Sequence, residues 1–440
     1  MSTLPIRLLS LSLSGLKNVH HGSFHIPTGQ GHRSSIVGIY GQNGSGKTAA
    51  INALSILRIL FRGDPLPPRV SNIISKDTTD ISINAEFSYN GGKINYTPTL
   101  TLTPDGGVEL KSETLCYARK SLKFFANNKN FLRPKDIRTM LRKIDDDDNI
   151  KAYSIVATKG CKSFLFSTEM KQMLAKSPQD ITQFWHKILN RLYDYARFEY
   201  FVIEDNHLSI NGKNESIPFS FRTANEFGEF DISLVKPSLL DLNYYNYFSN
   251  FLVQINKIIG AIVPKLSIEI HEHGRELLEN GRNAMRFELV SVRDGQRIPL
   301  LYESDGIKKI LSILGLLAAA YKDESILIAI DELDAGIFEY MLGEIIEVFD
   351  KFGSGQLIFT SHNLRPLEKL NHRSILMTTT NKENRYITLT NIKASNNLRD
   401  VYLRSVYLGG QSEELYDKTS TASIRRSFDA YGGYANAQSS

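Results

Sequence analysis

The sequence predicts an α/β fold in which a mainly parallel sheet is flanked by helices, with antiparallel strands added at the N-terminus. Two observations predict it. From Leu300 onward, short apolar runs alternate with helical patterns, and strands that alternate with helices form parallel sheets covered on both faces. Near the N-terminus, Leu9, Leu11 and Leu13 alternate with serines, which is the period of a strand with one buried face.

The N-terminal segment is rich in strands around one helix. Strands are expected at 7–16, 22–26 and 35–40. The third is apolar almost throughout and leads through a glycine-rich turn into an apolar helix at 47–60. The glycine and prolines that follow end this helix. Residues 80–103 alternate again and predict further strands.

The middle of the chain, residues 116–295, has a weaker pattern. Helical spacing occurs at 166–195 and 238–260, and a strand-like segment follows at 266–270. No long heptad repeat is present. We therefore interpret this region as a compact, mixed helical insertion and not as a coiled-coil arm.

Regular alternation returns in the last part of the chain. Helices and strands are expected, in chain order, at 305–321, 326–330, 338–352, 356–359 and 386–389. The first, second and fourth of these segments matter most, because they lie next to polar motifs. The small polar residues at 431–440 are expected to lack regular structure.

Composition indicates an ordinary globular protein, with 42% hydrophobic and 22% charged residues. The formal net charge of +5 permits a nucleic-acid partner without requiring one. Cys116 and Cys161 stand in unrelated contexts, so neither a disulfide framework nor a cysteine metal site is expected. The longest apolar run, 310–320, is too short to span a bilayer. We expect a cytoplasmic protein with no membrane contact.

The strongest local signal is the segment 41–48, which matches the phosphate-binding pattern GxxxxGK[ST] at every fixed position. Glycines allow several backbone N–H groups to converge on one anion, and the following helix adds its positive N-terminal end. A chance glycine-rich turn is disfavoured because an apolar strand precedes the segment and a helix follows. The residues expected to contact ATP are Gly41, Asn43, Gly44, Ser45, Gly46, Lys47 and Thr48. Lys47 should reach the β- and γ-phosphates, and the Thr48 hydroxyl should bind Mg²⁺.

An acidic pair ends the apolar run 326–330. A buried strand that ends in two acids places them at the carboxyl edge of the sheet, beside the phosphate loop. We expect Asp331 to hold Mg²⁺ through water and Glu332 to act as general base on the attacking water. The alternative, a simple acidic pair at a helix start, is less favoured given the phosphate loop upstream.

A histidine follows a second apolar strand. His362 comes directly after 357–361, where its side chain is expected to reach the γ-phosphate. Asp334, in the sequence Leu-Asp-Ala-Gly after the acidic pair, resembles the loop by which ABC-type ATPases touch the other subunit.

ABC-type sites are completed by a short Ser/Gly signature of the partner subunit. The segment 303–306 begins the helix that leads to the acidic strand, and its Ser304 and Gly306 provide a hydroxyl and helical N–H groups. Asp305 replaces the first glycine of the common LSGGQ signature. A plain N-cap at Ser304 is the alternative. We favour a contact made across a dimer.

Together these motifs resemble the ABC/SMC/RecF class of AAA-family ATPase heads. The segments 303–306 and 331–334 look closest to stand-alone bacterial ATPases of abortive-infection and overcoming-lysogenization-defect (OLD-like) systems. The resemblance implies ATP and Mg²⁺ as ligands, a homodimer through the ATP sites with higher oligomers possible, and a role in anti-phage defence. It also implies a separate effector, a nuclease or toxin, because the chain after His362 is too short for the nuclease domain of the lysogenization type.

The resemblance divides the chain into four parts. These are an N-terminal ATPase lobe at 1–115, the insertion at 116–295, a C-terminal ATPase lobe at 296–395 and an extension at 396–440. We find no convincing glutamine loop, because Gln42 lies inside the phosphate loop and 80–103 contains no glutamine.

Three weaker signals are discounted. The acidic run 145–148 is expected to be a solvated loop. His271 and His273 share one strand face, but the sequence offers no third metal ligand nearby. The basic segment 119–143, with interleaved phenylalanines, suits a nucleic-acid or acidic-protein surface, although a solvated basic helix is favoured.

Rival functions stay open. A RecF/SMC-like ATPase that clamps DNA for repair or chromosome maintenance is the main alternative. A small-molecule P-loop kinase would leave Ser304 and His362 without a role. A membrane-transporter subunit is disfavoured by the N-terminal strands and the large insertion.

Overall fold

The structure is a computed structural model that describes residues 4–27, 34–75, 77–125, 147–176, 179–204, 216–222, 227–390, 392 and 396–437. Its strands within these ranges are β1 (Ile6–Leu16), β2 (Val19–His25), β3 (Ser35–Tyr40), β4 (Asp80–Tyr89), β5 (Gly92–Leu102), β6 (Val108–Tyr117), β7 (Lys120–Phe125), β8 (Tyr200–Ile203), β9 (Ser216–Arg222), β10 (Phe227–Ser233), β11 (Ser238–Asp241), β12 (Ser267–Leu277), β13 (Asn283–Arg293), β14 (Gln296–Pro299), β15 (Leu327–Ile330), β16 (Gln356–Thr360), β17 (Ile375–Thr378) and β18 (Tyr386–Thr388). Its helices there are α1 (Lys47–Phe61), α2 (Asp147–Lys159), α3 (Thr168–Lys176), α4 (Asp180–Phe198), α5 (Leu242–Ile262), α6 (Asp305–Lys322), α7 (Glu339–Phe352), α8 (Leu398–Leu408) and α9 (Thr421–Ala437).

An antiparallel sheet contains the N-terminal strands, in the order β2-β1-β4-β5-β6-β7. Its inner face follows the alternation seen in the sequence from Leu11 onward, whereas Leu9 is partly exposed, because the register of β1 with β4 shifts between Leu8 and Ser10. Leu11 and Leu13 are at most 1% exposed, whereas Ser12 and Ser14 are partly exposed. Successive side chains of a strand point to opposite faces, so the leucines enter the core and the serines face outward.

A second sheet has the order β18-β17-β3-β16-β15-β8, and every neighbouring pair in it is parallel except β17 with β18. The mainly parallel sheet expected from the sequence is therefore confirmed. Two of its strands, β8 and β17, were not expected. Each has four residues, and so short an apolar run does not distinguish a strand from a buried helical segment.

The parallel sheet separates two hydrophobic cores. Val37 and Ile39 of β3 pack with α1 and the antiparallel sheet, whereas Ile36 and Tyr40 pack with α5, α6 and α7. Because β3 is buried on both faces, it is apolar on both faces, as is typical of parallel strands. Across the described ranges, none of the helices combines the length and apolar character needed to cross a bilayer.

The middle of the chain is connected to the parallel sheet. Its strand β8 pairs with β15, so that Tyr200 lies opposite Leu327. Strands β11, β13, β12 and β14 form a separate antiparallel sheet, and β9 pairs with β10. The region 116–295 thus supplies one edge of the mainly parallel sheet in addition to its own strands, and its limits as a domain stay a prediction.

Three segments differ from the sequence expectation. The helical pattern at 166–195 is divided between α3 and α4, and Pro178 stands between them in the sequence. In the segment 238–260, the first four residues form β11 and the helix α5 begins only at Leu242. The Asp241 carboxylate caps α5 by accepting a hydrogen bond from Asn243 N at 2.9 Å. At the C-terminus, α9 extends to Ala437, where no regular structure was expected.

Two discounted signals lie largely outside the described residues. Only 119–125 of the basic segment 119–143 is described, and it belongs to the turn before β7 and to β7 itself. Of the acidic run 145–148, only the last two residues are described, at the start of α2.

Candidate functional site

The loop between β3 and α1 has the backbone of an anion-binding turn. Gly41 and Gly46 have φ angles of 150° and 97°, values that residues with a Cβ rarely adopt. A Cβ on Gly46 would lie 2.8 Å from Val19 Cγ2, and one on Gly41 would overlap the Thr378 hydroxyl. Gly46 is the N-cap of α1 and provides no side-chain cap. The first N–H groups of α1 therefore keep their capacity to bind an anion.

Lys47 lies across this loop. Its Nζ donates to the carbonyl oxygens of Gly41 at 2.9 Å and Gln42 at 3.1 Å, and the residue is 7% exposed. Burial lowers the pKa of Lys47, while the negative charges of Asp331, Glu332 and Asp334 oppose that shift. The amine is thus bound by two backbone carbonyl oxygens, which a ligand oxygen could replace, and it lies in the field of the acids at and after the end of β15.

Several side chains brace the loop from outside. The Ser45 hydroxyl donates to Gln42 O at 2.6 Å and is hydrogen bonded to the Thr378 hydroxyl. The Tyr386 hydroxyl donates to Gly46 O at 2.8 Å, and the Asn18 amide donates to Gly44 O. Thr378 and Tyr386 belong to β17 and β18, the two outermost strands on one side of the sheet. These strands therefore help to fix the shape of the loop. Asn43 and Gly44 are exposed at its tip.

Asp331 stands at the end of β15, directly beside Thr48. Its Oδ1 accepts hydrogen bonds from the Thr360 hydroxyl at 2.5 Å and the Thr48 hydroxyl at 3.4 Å, and the residue is 3% exposed. Thr360 was not predicted from the sequence. It is the last residue of β16, which pairs with β15 in parallel register, and its position at a strand end was the available signal.

Glu332 occupies a constrained turn. Its φ of 47° is in the left-handed region, which is uncommon for a residue with a side chain. Its N–H donates to the Thr360 hydroxyl at 2.7 Å, and its carbonyl oxygen accepts from Lys309 Nζ. Lys309, a buried residue of α6, was also missed by the sequence analysis. Backbone strain of this kind concentrates at functional sites.

Asp334 connects the turns that follow β15 and β16. Its Oδ2 accepts from the backbone N–H groups of His362 at 3.0 Å and Asn363 at 2.9 Å. Partial desolvation of the imidazole and the positive charge of Lys47 lower the pKa of His362, and Asp334 and Asp331 oppose the shift. The phosphate loop, the acidic pair and the histidine therefore meet at the carboxyl edge of one sheet.

Ser304 and Gly306 begin α6 on a different part of the surface. Ser304 is exposed, and its hydroxyl accepts from Ile307 N at 3.4 Å as an N-cap. Gly306 is buried and packs so closely against Gly336 that a Cβ on Gly306 would overlap the Gly336 carbonyl oxygen. No hydrogen bond between described residues joins Ser304 or Gly306 to the loop 41–48 of the same chain.

A cavity of about 320 Å³ opens beside the acidic pair. Thr48, Asp331 and Glu332 form one side of it, and three charged residues that the sequence analysis missed line it as well, namely Lys17, Arg69 and Glu204. Arg69 NH1 lies 2.5 Å from Glu204 Oε2. Glu204 directly follows β8, whose apolar run was the signal that was overlooked. Burial lowers the pKa of Lys17, and Asp331 and Glu204 oppose that shift.

The donor set at this cavity suits Mg²⁺. Thr48 and Asp331 offer a hydroxyl and a carboxylate side by side, and Mg²⁺ prefers oxygen ligands of this kind together with water and phosphate oxygens. The adjoining α1 N-terminus and Lys47 favour the phosphates of a nucleotide. The arrangement can therefore accept a Mg²⁺–nucleotide complex with Glu332 at the same cavity.

Comparisons with solved structures give low overall similarity. The SmcHead bound to the C-winged helix domain of ScpA is 12% identical, with a TM-score of 0.41, and the match covers 88% of this chain and 99% of that chain. The Smc head domain with an extended coiled coil from Pyrococcus furiosus, bound to the C-terminal domain of ScpA, is 10% identical with a TM-score of 0.40 over 87% and 96% of the chains. The SMC head domain from Thermotoga maritima is 13% identical with a TM-score of 0.38 over 87% and 99%.

No curated protein matches the chain. A family model described as "AAA domain, putative AbiEii toxin, Type IV TA system" matches residues 36–367. This range is well over half of the chain, and it includes the phosphate loop, the acidic pair and His362. The match confirms the resemblance to ABC/SMC-class AAA ATPases of abortive-infection systems. The chain therefore belongs to the AAA-domain family of the putative AbiEii toxin type.

Proposed function

We propose that this protein is an ATPase whose two sites form between the subunits of a homodimer, so that ATP binding and hydrolysis switch its association with a partner. One observation carries the proposal. Thr48, Asp331 and Glu332 line a single cavity beside the N-terminus of α1 and Lys47. A phosphate cradle, a metal-binding pair and a general base are thus available at one place.

The residues have separate roles in hydrolysis. Lys47 exchanges its two carbonyl acceptors, Gly41 and Gln42, for the β- and γ-phosphate oxygens. Thr48 and Asp331 would hold Mg²⁺, which would supply positive charge to neutralise the phosphates. Glu332 orients a water molecule and accepts its proton as the water attacks the γ-phosphorus and ADP leaves. His362, whose pKa is lowered by desolvation and by the charge of Lys47, donates a hydrogen bond from its imidazole N–H to a γ-phosphate oxygen.

The dimer is supported by the position of the Ser304 surface. Ser304 is exposed and Gly306 packs on Gly336, so the signature segment and the turn after Asp334 form one continuous surface. Tyr302 and Phe338 flank it and are 75% and 67% exposed. Exposed aromatic side chains are enriched at protein interfaces. In the proposed dimer, Ser304 and Gly306 of one copy, with the adjacent Asp334 turn, face the γ-phosphate bound by the other copy.

Loss of the γ-phosphate removes these contacts across the dimer, and the two copies then separate. The output is a change in the availability of a partner. A role in anti-phage defence is supported by the family description, which names a putative AbiEii toxin and a Type IV TA system. The separate nuclease or toxin as effector rests on the resemblance to abortive-infection ATPases alone.

The test is the Glu332→Gln variant. Without the general base, turnover should fall by about 100-fold or more, while ATP binding persists. The variant should therefore accumulate as an ATP-dependent dimer, measured by light scattering with size-exclusion chromatography. Glu344→Gln, at an exposed position of α7, is the matched control and should behave as wild type.

A second substitution tests whether the site is shared between subunits. Adding Ser304→Arg to Glu332→Gln should abolish the ATP-dependent dimer without weakening ATP binding to the monomer. A Glu332→Gln protein that stays monomeric in saturating ATP would contradict the shared site. Stimulation of turnover by duplex DNA, with no effector needed, would instead support the DNA-clamping alternative.

A further inference from the structure

A cluster of potential metal ligands lies on the antiparallel sheet formed by β11–β14, away from the strand ends that carry the nucleotide site. His271 and His273 belong to β12, and Glu288 belongs to β13. His271 lies directly opposite Glu288 in the register of the two strands. The third ligand that the local sequence did not offer is therefore supplied by the neighbouring strand.

The two faces of this sheet have different surroundings. Phe287 and Leu289 of β13 are buried, and Phe287 packs against Tyr245 of α5 with ring centroids 5.4 Å apart. Because side chains alternate along a strand, Glu288 points to the opposite face. His271, as its cross-strand partner, shares that outer face. The cluster therefore lies on the side of the sheet turned away from α5, where both histidines are exposed.

An irregularity in β12 brings the second histidine to the same place. The register shifts between Glu272 and Gly274, so His273 has no partner on β13 and is the extra residue of a β-bulge. Bulges re-aim side chains and are retained as specific features of a fold. The imidazole Nε2 of His273 consequently lies 3.7 Å from Glu288 Oε1.

The geometry fits a metal ion with few adjustments. The ligand atoms of His271, His273 and Glu288 all lie within 4.8 Å of one another. The two imidazole rings have centroids 5.0 Å apart and planes at 86°. A tetrahedral ion with bonds of about 2.0–2.1 Å needs neighbouring ligand atoms roughly 3.4 Å apart. Exposed side chains reach that separation by small rotations.

Two arginines of this sheet are paired with acids other than Glu288. Arg286, two residues earlier on β13, is paired with Glu276 through NH2 at 2.7 Å. Arg297 is paired with Glu269 at 2.8 Å. Both guanidinium groups are thus engaged with acids outside the cluster, and two imidazoles and one carboxylate converge at its centre.

We propose that His271, His273 and Glu288 bind a divalent transition-metal ion, with Zn²⁺ as the ion of choice. Two imidazoles and one carboxylate form a ligand set typical of Zn²⁺, and they leave a fourth position for water or for a group from a partner. This site and the nucleotide site should select different ions, because Mg²⁺ prefers an all-oxygen environment and two of the three ligands here are imidazoles.

The experiment titrates the full chain, carrying no histidine tag, with Zn²⁺ against a chromogenic chelator in a buffer that contains Mg²⁺. Wild type should bind one Zn²⁺ per chain. His271→Ala, His273→Ala and Glu288→Gln should each weaken binding by at least about tenfold, since even loss of an outer-sphere contact has an effect of that size. His25→Ala, at an exposed position of β2, is the control and should retain wild-type affinity.

A spectroscopic measurement separates a built site from general surface binding. Co²⁺ added to wild type should give the intense visible bands of tetrahedral coordination, and these bands should be lost in Glu288→Gln. Thermal unfolding of each variant without metal should match wild type, because the three side chains are on the surface. Equal Zn²⁺ affinity in wild type and in the double variant His271→Ala/His273→Ala would overturn the proposal.

Discussion

Two buried carboxylates in this protein have opposite surroundings. Glu113 of β6 is fully buried, and donors reach both of its oxygens: the hydroxyls of Tyr96 at 2.6 Å and Ser163 at 2.5 Å, and the N–H groups of Phe164 at 2.8 Å and Leu165 at 3.3 Å. Asp331 at the end of β15 is almost as buried. However, the described hydroxyls reach only its Oδ1, and the residue lines a cavity.

The different donor sets indicate different roles: Glu113 joins parts of the fold, whereas Asp331 is available for chemistry. Glu113 links β6 to the turn before α3, and its donors saturate it. Buried polar groups are stable only when they are hydrogen bonded. Asp331 is fixed in position by Thr360 but keeps coordination capacity toward the cavity. Burial alone therefore does not identify a functional acid, whereas burial with an incomplete donor set at a cavity does.

The largest effect on stability should come from Glu113→Ala. The substitution leaves two hydroxyls and two backbone N–H groups buried without an acceptor. We expect a loss of about 3–5 kcal/mol in the free energy of unfolding, measured by urea denaturation. ATP affinity measured well below the unfolding transition should stay near wild type. A loss below about 1 kcal/mol would show that the donors find other partners.

The reverse pattern is expected for Asp331→Asn. The amide keeps the shape of the side chain and one acceptor for Thr360, so the melting temperature should change little. It removes the charge that holds Mg²⁺, so ATP turnover should fall by about 100-fold, which is about 2.7 kcal/mol of activation free energy. Turnover that is unchanged at saturating Mg²⁺ would place the metal elsewhere.

The smallest effect is a pH dependence of stability that arises from Glu113. Burial raises the pKa of Glu113 above its ordinary value of 4.5. The folded state therefore retains a proton that the unfolded state loses, and the contribution of Glu113 to stability falls as pH rises above 4.5 toward the raised pKa.

Glu113→Gln removes this titration. The stability difference between wild type and Glu113→Gln, measured by urea denaturation at a series of pH values, should shift against wild type as pH rises from about 4 to 7. A difference that is constant over this range would mean that the pKa of Glu113 is the same in both states.

Contiguous motifs made much of the candidate site predictable. The segment 41–48 and the pair Asp331–Glu332 are recognisable because each motif completes its own local geometry: glycines permit the turn, and an apolar strand ends in acids. Thr360, Lys309 and Glu204 could not be found in this way. Each reaches the acidic turn or the cavity from a separate element, and a single hydroxyl, amine or carboxylate at the end of an apolar run is a common occurrence.

The amino-acid sequence alone determined the local backbone preferences and the alternation of buried and exposed positions. These specify an α/β chain with a phosphate loop, because glycine conformation and side-chain period act over a few residues. Only the tertiary structure decided which strands are neighbours. That choice placed β8 beside β15 and so brought Glu204 to the cavity, and it set β13 against a bulge in β12 and so brought Glu288 to two histidines. Such pairings depend on the packing of distant segments, which no local pattern encodes.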